Sequence, residues 1–372
     1  MTARPTVTCR APGKLFITGE YAVMEPGNPA VLVAVDRMVS VTASPAEVPG
    51  VVIASDLCAG PVLLRWDGLR LTGDTPAAET AARGRLAHAV AAVEVVAELL
   101  AQRGVRPPTL HLAIGSDLHQ NGTKLGLGSS GAVTVAVIAA TTAHCDLELT
   151  ADARFRLAMI ASARLDVRSS GADLAASTWR GWIAYQAPDR AAVLELVQRR
   201  GIEDALNAPW PGLGVRRLAA PDELTLAVGW TGSPAVTGEL ITGRGKKTWR
   251  GGAAHKAFVT GMTECVQATI DAIDQGDCRS VLRQITSARE LLAGLDNAVG
   301  LGIFTDKLTA LCDAADAAGW AGKPSGAGGG DCGIALLDDA GGPDIEGLHA
   351  RWAAVQVQPL PIQVLGDETD AQ

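Results

Sequence analysis

The chain has 372 residues, of which 48% are hydrophobic and 19% charged, and its formal net charge is −8. This composition excludes an intrinsically disordered chain, and the length favours two domains over one. The acidic balance, without a basic stripe or arm, argues against a general nucleic-acid binder, so an anionic ligand requires positive charge concentrated at its own site.

The distribution of cysteine, histidine and apolar residues further limits the kind of protein that this sequence can encode. The seven cysteines include no C-x-x-C pair, as expected of reduced thiols, and the six histidines show no metal-ligand spacing. The N-terminal stretch lacks the apolar core of a signal peptide, and no uncharged apolar run is long enough to span a membrane. We therefore expect a cytoplasmic enzyme or binding protein, either a monomer or a homodimer, that binds neither membrane nor nucleic acid.

Hydrophobic periodicity predicts alternating strands and helices before the first Pro- and Gly-rich cluster. In chain order these elements are a strand pair at 4–18 broken by Ala11-Pro12-Gly13, one or two strands at 30–44, a helix at 83–104, a strand at 109–118, a helix at 131–145, a helix at 150–166 with Thr150 as N-cap, and a strand at 179–188.

The Pro- and Gly-rich cluster at 207–223 interrupts this pattern, and we place a domain boundary just before it, near residue 200. The two domains are thus expected at 1–200 and 201–372. Blocks of strands and helices joined by hairpins indicate an α+β fold rather than regular βαβ repetition. The predicted elements of the second domain are a strand at 224–230, three helices between 252 and 318, a strand at 331–337, a short helix at 345–354 and a strand at 355–365.

Residues 124–136, KLGLGSSGAVTVA, contain the letters G-x-G-x-x-G of a dinucleotide-binding loop. A nicotinamide-binding loop follows directly on a strand, whereas here the polar stretch HQNGTK intervenes, so a nicotinamide oxidoreductase is the weakest interpretation. A cradle for phosphate remains, in which backbone N–H groups and a helix N-terminus attract the anion. Ser129 and Ser130 can cap the helix, contact a phosphate or reach a Mg2+ ion. An ordinary turn capped by serine is the alternative.

Two further glycine-containing segments accompany this loop. Residues 11–25 read APGKLFITGEYAVME, and residues 323–333 read KPSGAGGGDCG. In this order and at these separations, the three segments resemble those of the GHMP kinase superfamily, and the resemblance covers essentially the whole chain. It implies an N-terminal domain like ribosomal protein S5 domain 2, a C-terminal ferredoxin-like domain, and ATP and Mg2+ as cofactors.

The acceptor is suggested by finer features of these segments. Gly19-Glu20-Tyr21 stands where mevalonate kinases usually carry Gly-Glu-His. Together with residues 124–136, the segments 169–185 and 229–237 look most like the branch of the superfamily that phosphorylates 5-phosphomevalonate to 5-diphosphomevalonate in isoprenoid biosynthesis. A kinase of mevalonate or of another small alcohol is the alternative, followed by a non-catalytic sensor of ATP and metabolite.

The resemblance also implies roles for individual residues, because phosphoryl transfer needs a phosphate cradle, a metal ion and a cation near the transferring group. The catalytic residues are expected to be Lys14 and Asp173. The nucleotide-binding residues are expected to be Lys124, Gly126, Gly128, Ser129, Ser130 and Gly131, with Ser130 also contacting Mg2+. The acceptor is expected to contact Lys14, Tyr21, Ser325, Gly326 and Ala327, in part through the N–H groups of Ser325 and Ala327.

The role of Asp173 depends on the acceptor. An alcohol must lose a proton and benefits from a general base. A phosphate monoester, with a second pKa of about 6, is mostly deprotonated at neutral pH. Asp173 is then expected to orient Lys14 and the acceptor, although a role as base stays open. Residues 229–237 are expected to line the acceptor pocket. Lys246 and Lys247 are expected either to contact an anionic substrate or to belong to a loop that closes over the site, and the alternative is that both are simply solvated.

Overall fold

Two sheets organise the chain in the computed structural model, which describes residues 5–120, 122–234, 249–338 and 344–366. The strands are β1 (Val7–Thr18), β2 (Pro29–Pro45), β3 (Val51–Ser55), β4 (Val62–Asp67), β5 (Arg70–Gly73), β6 (Leu110–Ser116), β7 (His119–Gln120), β8 (Thr123–Lys124), β9 (Trp182–Gln186), β10 (Gly214–Leu218), β11 (Leu224–Trp230), β12 (Ala321–Pro324), β13 (Cys332–Asp338) and β14 (Gln358–Leu360). The helices are α1 (Pro76–Arg83), α2 (Ala87–Gln102), α3 (Ser129–His144), α4 (Ala151–Leu165), α5 (Ala172–Trp179), α6 (Arg190–Asn207), α7 (Ala253–Asp274), α8 (Cys278–Val299), α9 (Asp306–Asp316) and α10 (Ile345–Ala354), with a 3-10 turn at Ala22–Met24.

The first sheet has the strand order β10-β9-β2-β6-β3-β4-β5, with β1 also paired to β2. β2 is long enough to pair with β1 over most of its length and also with β9 near its start and β6 near its end. The apolar helix α3 packs against β1, β2, α2 and α4, which explains why its sequence lacks a polar face. Its N-terminus is thereby fixed beside β1. This placement determines the position of residues 126–131, which we call the glycine loop.

The second sheet has the order β12-β13-β11-β14 and is antiparallel throughout. Helices α8 and α9 pack on β12 and β13, and α10 packs on β14. The expected α+β fold is confirmed. Among the described residues, none of the helices combines the length and the hydropathy needed to cross a bilayer.

The passage between the two sheets lies later than the expected domain boundary. Residue 200 falls within α6, and β10 still pairs with β9 of the first sheet. The chain enters the second sheet only with β11, so the Pro- and Gly-rich cluster contains a strand of the first sheet rather than following a boundary. The three helices expected between 252 and 318 are confirmed as α7, α8 and α9.

Strand β1 corrects the prediction of a strand pair at 4–18. It is one strand, and the Pro12-Gly13 sequence produces a register shift between Pro12 and Lys14 instead of a break. A Cβ on Gly13 would lie 2.9 Å from Leu127 O, so only glycine allows the glycine loop to approach β1 here. The N–H of Lys14 then donates to Leu127 O at 2.8 Å. The three glycine-containing segments, in chain order, are residues 11–25, 124–136 and 323–333. The irregularity in β1 therefore joins the first segment to the second.

A buried ion pair joins the first and third segments. Lys323 on β12 and Glu20, just after β1, form this pair with side chains only 0% and 1% exposed, and Lys323 Nζ also donates to Pro324 O at 2.8 Å. The hydroxyl of Ser325 adds a second connection, accepting from Phe16 N at 2.9 Å and donating to Phe16 O at 3.1 Å. These contacts fix β12 of the second sheet against β1 of the first.

Replacing Lys323 by Met should leave the Glu20 carboxylate buried without its partner. Because an uncompensated buried charge is strongly unfavourable, we expect Lys323→Met to lower the free energy of unfolding by about 3–5 kcal/mol, measured by urea denaturation. The double variant Glu20→Gln/Lys323→Met removes both charges and should lose less than the sum of the two single losses. The exposed residue Arg199 provides the surface control, Arg199→Met, with an expected change below about 0.5 kcal/mol. Strictly additive single losses would contradict this coupling.

Candidate active site

A cleft of about 870 Å3 opens where the two sheets meet and is lined by all three glycine-containing segments. The residues expected to act in catalysis or to contact nucleotide or acceptor all line it: Lys14, Tyr21, Lys124, Gly126, Gly128, Ser129, Ser130, Gly131, Asp173, Ser325, Gly326 and Ala327. Lys246 and Lys247 lie outside the described residues. The pattern of three motifs along the sequence therefore corresponds to one place in the fold.

The glycine loop leads directly into the N-terminus of α3. Gly126 and Gly128 have φ values of 79° and 76°, a left-handed conformation that favours glycine. The N–H groups of residues 129–131 belong to the first turn of α3, where a helix offers them no acceptor of its own. These N–H groups and the positive end of the helix dipole form a cradle for an anion, as phosphate-binding loops do.

The glycines also allow charged side chains to approach this cradle closely. A Cβ on Gly128 would lie 3.0 Å from Lys14 Cγ, and a Cβ on Gly131 would lie 2.6 Å from Asp173 Cγ. Larger residues at either position would displace the cation or the carboxylate. The loop thus provides room for Lys14 and Asp173 as well as donors for a phosphate.

Lys14 places a buried positive charge at the centre of the cleft. Its side chain is 7% exposed, and Nζ lies 5.1 Å from the centroid of the Phe16 ring. Burial lowers the pKa of Lys14 below its ordinary value of 10.5, and the carboxylates of Asp173, Asp331 and Glu20 raise this pKa without cancelling the effect of burial. A cation in such a dry environment interacts strongly with any phosphate that enters.

Asp173 lies in the first turn of α5, directly behind the glycine loop. Its Oδ1 accepts from Leu174 N at 3.0 Å, and Ser130 Oγ donates to its Oδ2 at 3.4 Å. A carboxylate beside a hydroxyl offers the hard oxygen ligands that Mg2+ takes, together with phosphate oxygens. No group of three or more His, Cys, Asp or Glu side chains suited to a metal occurs in the part of the chain that the structure describes. Ser130 and Asp173 together fit a Mg2+ ion that phosphate oxygens would help to hold.

The third segment contributes differently from its expected role. The N–H of Ser325 donates to Cys332 O at 3.0 Å, so it is not available to the acceptor, and Ser325 acts instead through its hydroxyl, which binds β1. Tyr21 Oη donates to Ala327 O at 2.5 Å and thereby holds this glycine-rich loop across the cleft. Burial raises the pKa of Tyr21 well above its ordinary value, so its hydroxyl stays neutral.

Sequence reasoning missed Asp331, which follows the glycine run of the third segment. A Cβ on Gly126 would lie 2.4 Å from Asp331 Cγ, so this aspartate packs directly against the phosphate cradle. Its N–H donates to Ser233 O at 2.8 Å. The described part of the segment 229–237 does not line the cleft as expected, and it supports Asp331 instead. The sequence contained a signal for Asp331, because it directly follows the glycine run 328–330 of a segment already assigned to the site.

Ionisable residues outside the predicted motifs also line the cleft. His88 and His119 belong to this wall, and burial lowers the pKa of both rings. The end of α4 and the loop that follows contribute Asp166 and Arg168. Arg168, a positive charge at the wall of the cleft, was also missed by sequence reasoning.

The chain is similar to known proteins in both sequence and structure. The family model for the GHMP kinases N terminal domain matches residues 87–181, and the model for the GHMP kinases C terminal domain matches residues 269–347. The chain is 56% identical to the phosphomevalonate kinase of Streptomyces sp. (strain CL190), over 97% of this chain and 98% of that protein. It is 27% identical to the mevalonate kinase of Pyrococcus abyssi, over 89% of this chain and 88% of that protein. The structure of Streptococcus pneumoniae phosphomevalonate kinase in complex with phosphomevalonate and AMPPNP has a TM-score of 0.82 at 27% identity, covering 96% of this chain and all of that one.

Gly131→Ala tests the close approach between the cradle and Asp173. The added methyl group would force the carboxylate or the helix start to move, and misplacement of this size should lower kcat/KM by about 100-fold. Gly294→Ala is the matched control, because Gly294 also lies in a helix but faces open space. This control should keep full activity and gain up to about 1 kcal/mol of stability. Wild-type kcat/KM in Gly131→Ala would show that the contact is unimportant.

Proposed function

The chain belongs to the GHMP kinase superfamily, and we propose that its cleft transfers the γ-phosphoryl group of ATP to the phosphate of (R)-5-phosphomevalonate. The products are 5-diphosphomevalonate and ADP, a step of the mevalonate pathway of isoprenoid biosynthesis. One observation carries the choice of acceptor: the 56% identity to a phosphomevalonate kinase over nearly the full length of both chains. The convergence of a helix N-terminus, Lys14 and Asp173 on one cleft supports the reaction type.

The glycine loop holds the nucleotide. The N–H groups of residues 129–131 bind the phosphates of ATP at the N-terminus of α3, and Lys124 adds a second positive charge at this end of the cleft. Ser130 and Asp173 would hold Mg2+, which supplies neutralisation of the charge on the phosphate oxygens. The packing of α3 against both sheet strands and neighbouring helices supports the position of the cradle.

Lys14 acts on the transferring group. An oxygen of the acceptor phosphate forms the new bond to the γ-phosphorus while the bond to the oxygen bridging the β and γ positions breaks, and ADP leaves. The buried ammonium group stabilises the negative charge on the oxygens of the phosphoryl group as it moves. A Cβ on Gly326 would lie 3.7 Å from Lys14 Nζ, so the third segment approaches the same cation from the acceptor side.

Asp173 serves as an orienting group in this scheme. The acceptor phosphate has a second pKa of about 6 and is already nucleophilic at pH 7, so no base must remove a proton. The two oxygens of Asp173 receive hydrogen bonds from Leu174 N and Ser130 Oγ, which hold the carboxylate in place between the cradle and Lys14.

The substrate assignment is tested by measuring ADP release with mevalonate and with 5-phosphomevalonate side by side. We expect turnover with phosphomevalonate and a kcat/KM for mevalonate lower by at least about 100-fold. Turnover with mevalonate alone would overturn the assigned acceptor but keep the kinase activity. Release of ADP with neither compound would point to another acceptor or to a sensor, and binding of a nicotinamide cofactor would overturn the kinase activity itself.

Lys14→Met and Asp173→Asn should differ in their effect on kcat. Loss of the buried cation should lower kcat by about 10³-fold, because charge stabilisation is the main contribution to phosphoryl transfer. Asp173→Asn should cost less than the roughly 100-fold at which general-base contributions begin. Equal losses, or a larger loss in Asp173→Asn, would contradict this division of roles.

The pH profile gives an independent readout for the same two variants. The acidic limb, near pH 6, belongs to the acceptor phosphate and should persist in Asp173→Asn. The pKa of Lys14 is lowered, so its charge is lost at lower pH than that of an exposed lysine, and kcat should fall as the pH rises through this value. Lys14→Arg should move this alkaline limb to higher pH, since arginine stays protonated.

A further inference from the structure

The proposed acceptor carries negative charge at both ends. Its phosphate reacts beside Lys14, and its carboxylate lies at the opposite end of a five-carbon chain. If the chain acts on phosphomevalonate, as proposed above, the cleft needs a second positive site at some distance from Lys14 to hold that carboxylate. The residues expected from the sequence include no second site of this kind, since the positively charged ones, Lys14 and Lys124, are both assigned to phosphates.

Arg168 lines the cleft in the loop between α4 and α5. Its Nε and Nη2 donate to the two carboxylate oxygens of Asp166 at 2.9 and 3.0 Å. The guanidinium group is therefore held in one orientation, although its side chain is 50% exposed. A fixed and partly solvated guanidinium can still donate through its remaining N–H groups to a second carboxylate.

Arg250 lies beside the cleft, in the segment before α7. Its Nη2 lies 3.1 Å from Met24 Sδ, and its guanidinium lies 5.5 Å from the Trp249 ring centroid. Met24 lines the cleft, and Trp249 packs edge-on against Tyr21 at 6.2 Å. Burial lowers the pKa of Arg250, Glu25 raises it, the nearby charge of Arg168 lowers it and Asp166 raises it. The two guanidinium groups are therefore close enough to interact, so that one further anion can be attracted by both.

A third arginine, Arg190, contacts the backbone of residues next to both Arg168 and Arg250. The buried Arg190 donates from Nε to Val167 O at 3.3 Å, from Nη1 to Pro188 O at 3.0 Å and from Nη2 to Met24 O at 2.6 Å. It thereby fixes the residue before Arg168 and the residue that Arg250 contacts. The backbone next to both guanidinium groups is thus held by hydrogen bonds within the fold.

We propose that Arg168 and Arg250 bind the carboxylate of phosphomevalonate and so select acceptors that carry an acid at the end remote from the phosphate. Lys14 and the glycine loop recognise phosphate in any acceptor, whereas the arginine pair recognises the rest of the molecule. The pair determines specificity and takes no part in the bond changes at phosphorus.

Arg168→Gln and Arg250→Gln should each raise the KM for phosphomevalonate by about 10- to 100-fold, the range expected from losing a charge-assisted hydrogen bond. The kcat and the KM for ATP should stay within about twofold of wild type. Arg168→Lys keeps the charge and should recover part of the loss. Arg199→Gln, on the exposed surface of α6, is the matched control and should leave all constants unchanged.

The decisive measurement repeats these assays with 3-hydroxy-3-methylbutyl phosphate, which lacks the carboxylate. Wild type should use it with a KM raised to a similar degree, and neither arginine variant should raise that KM further. An equal increase in KM for both acceptors, or a fall in kcat alone, would overturn the assignment of the arginine pair. Wild type that fails to turn over phosphomevalonate would overturn the proposed function instead, so the two failures are distinguishable.

Discussion

The rest of the site depends on burying the ammonium group of Lys14 while keeping it charged. Burial alone disfavours the charge, and the carboxylates that oppose this effect come from three separate parts of the chain: Glu20, Asp173 and Asp331. Glu20 is itself buried and paired with Lys323 of the second sheet. Charges thus alternate from Lys323 through Glu20 to Lys14, and the two sheets cannot separate without exposing this series.

The glycines make this arrangement sterically possible. In a dinucleotide-binding loop, glycines admit a pyrophosphate, and the same letters at 126–131 allow a phosphate to approach here. They also make room for Asp331 and Asp173, since a Cβ on Gly126 or Gly131 would collide with them. The structural context separates the two uses, because the separate two-stranded sheet β7-β8, and not a strand of the first sheet, leads into this loop. The motif therefore specifies an anion, and the surrounding charges specify which chemistry follows.

The sequence predicted the cleft better than it predicted the fold around it. The motif residues all line one cavity, and the glycines that allow these segments to approach one another are visible in the motifs themselves. Strands β3 to β5 and helices α5 and α6 were missed, since their segments are short or interrupted by glycine and proline, and tertiary packing stabilises them. Glu20, Lys323 and Arg168 were missed for another reason. Their roles arise only when distant segments meet, and periodicity carries no information about such approaches.

The acceptor explains why a kinase of this architecture can leave its aspartate without a proton to remove. Asp173 is bound on both oxygens, by a backbone N–H and by a serine hydroxyl, and these hydrogen bonds hold the carboxylate in one orientation. Held in this way, it suits the proposed role of orienting Lys14 and a metal ion. An alcohol acceptor would need a base, whereas a phosphate dianion brings its own charge and requires only cations to approach ATP. The demand on the protein therefore shifts from proton removal to charge neutralisation, which the buried lysine, the helix N-terminus and the proposed arginine pair together supply.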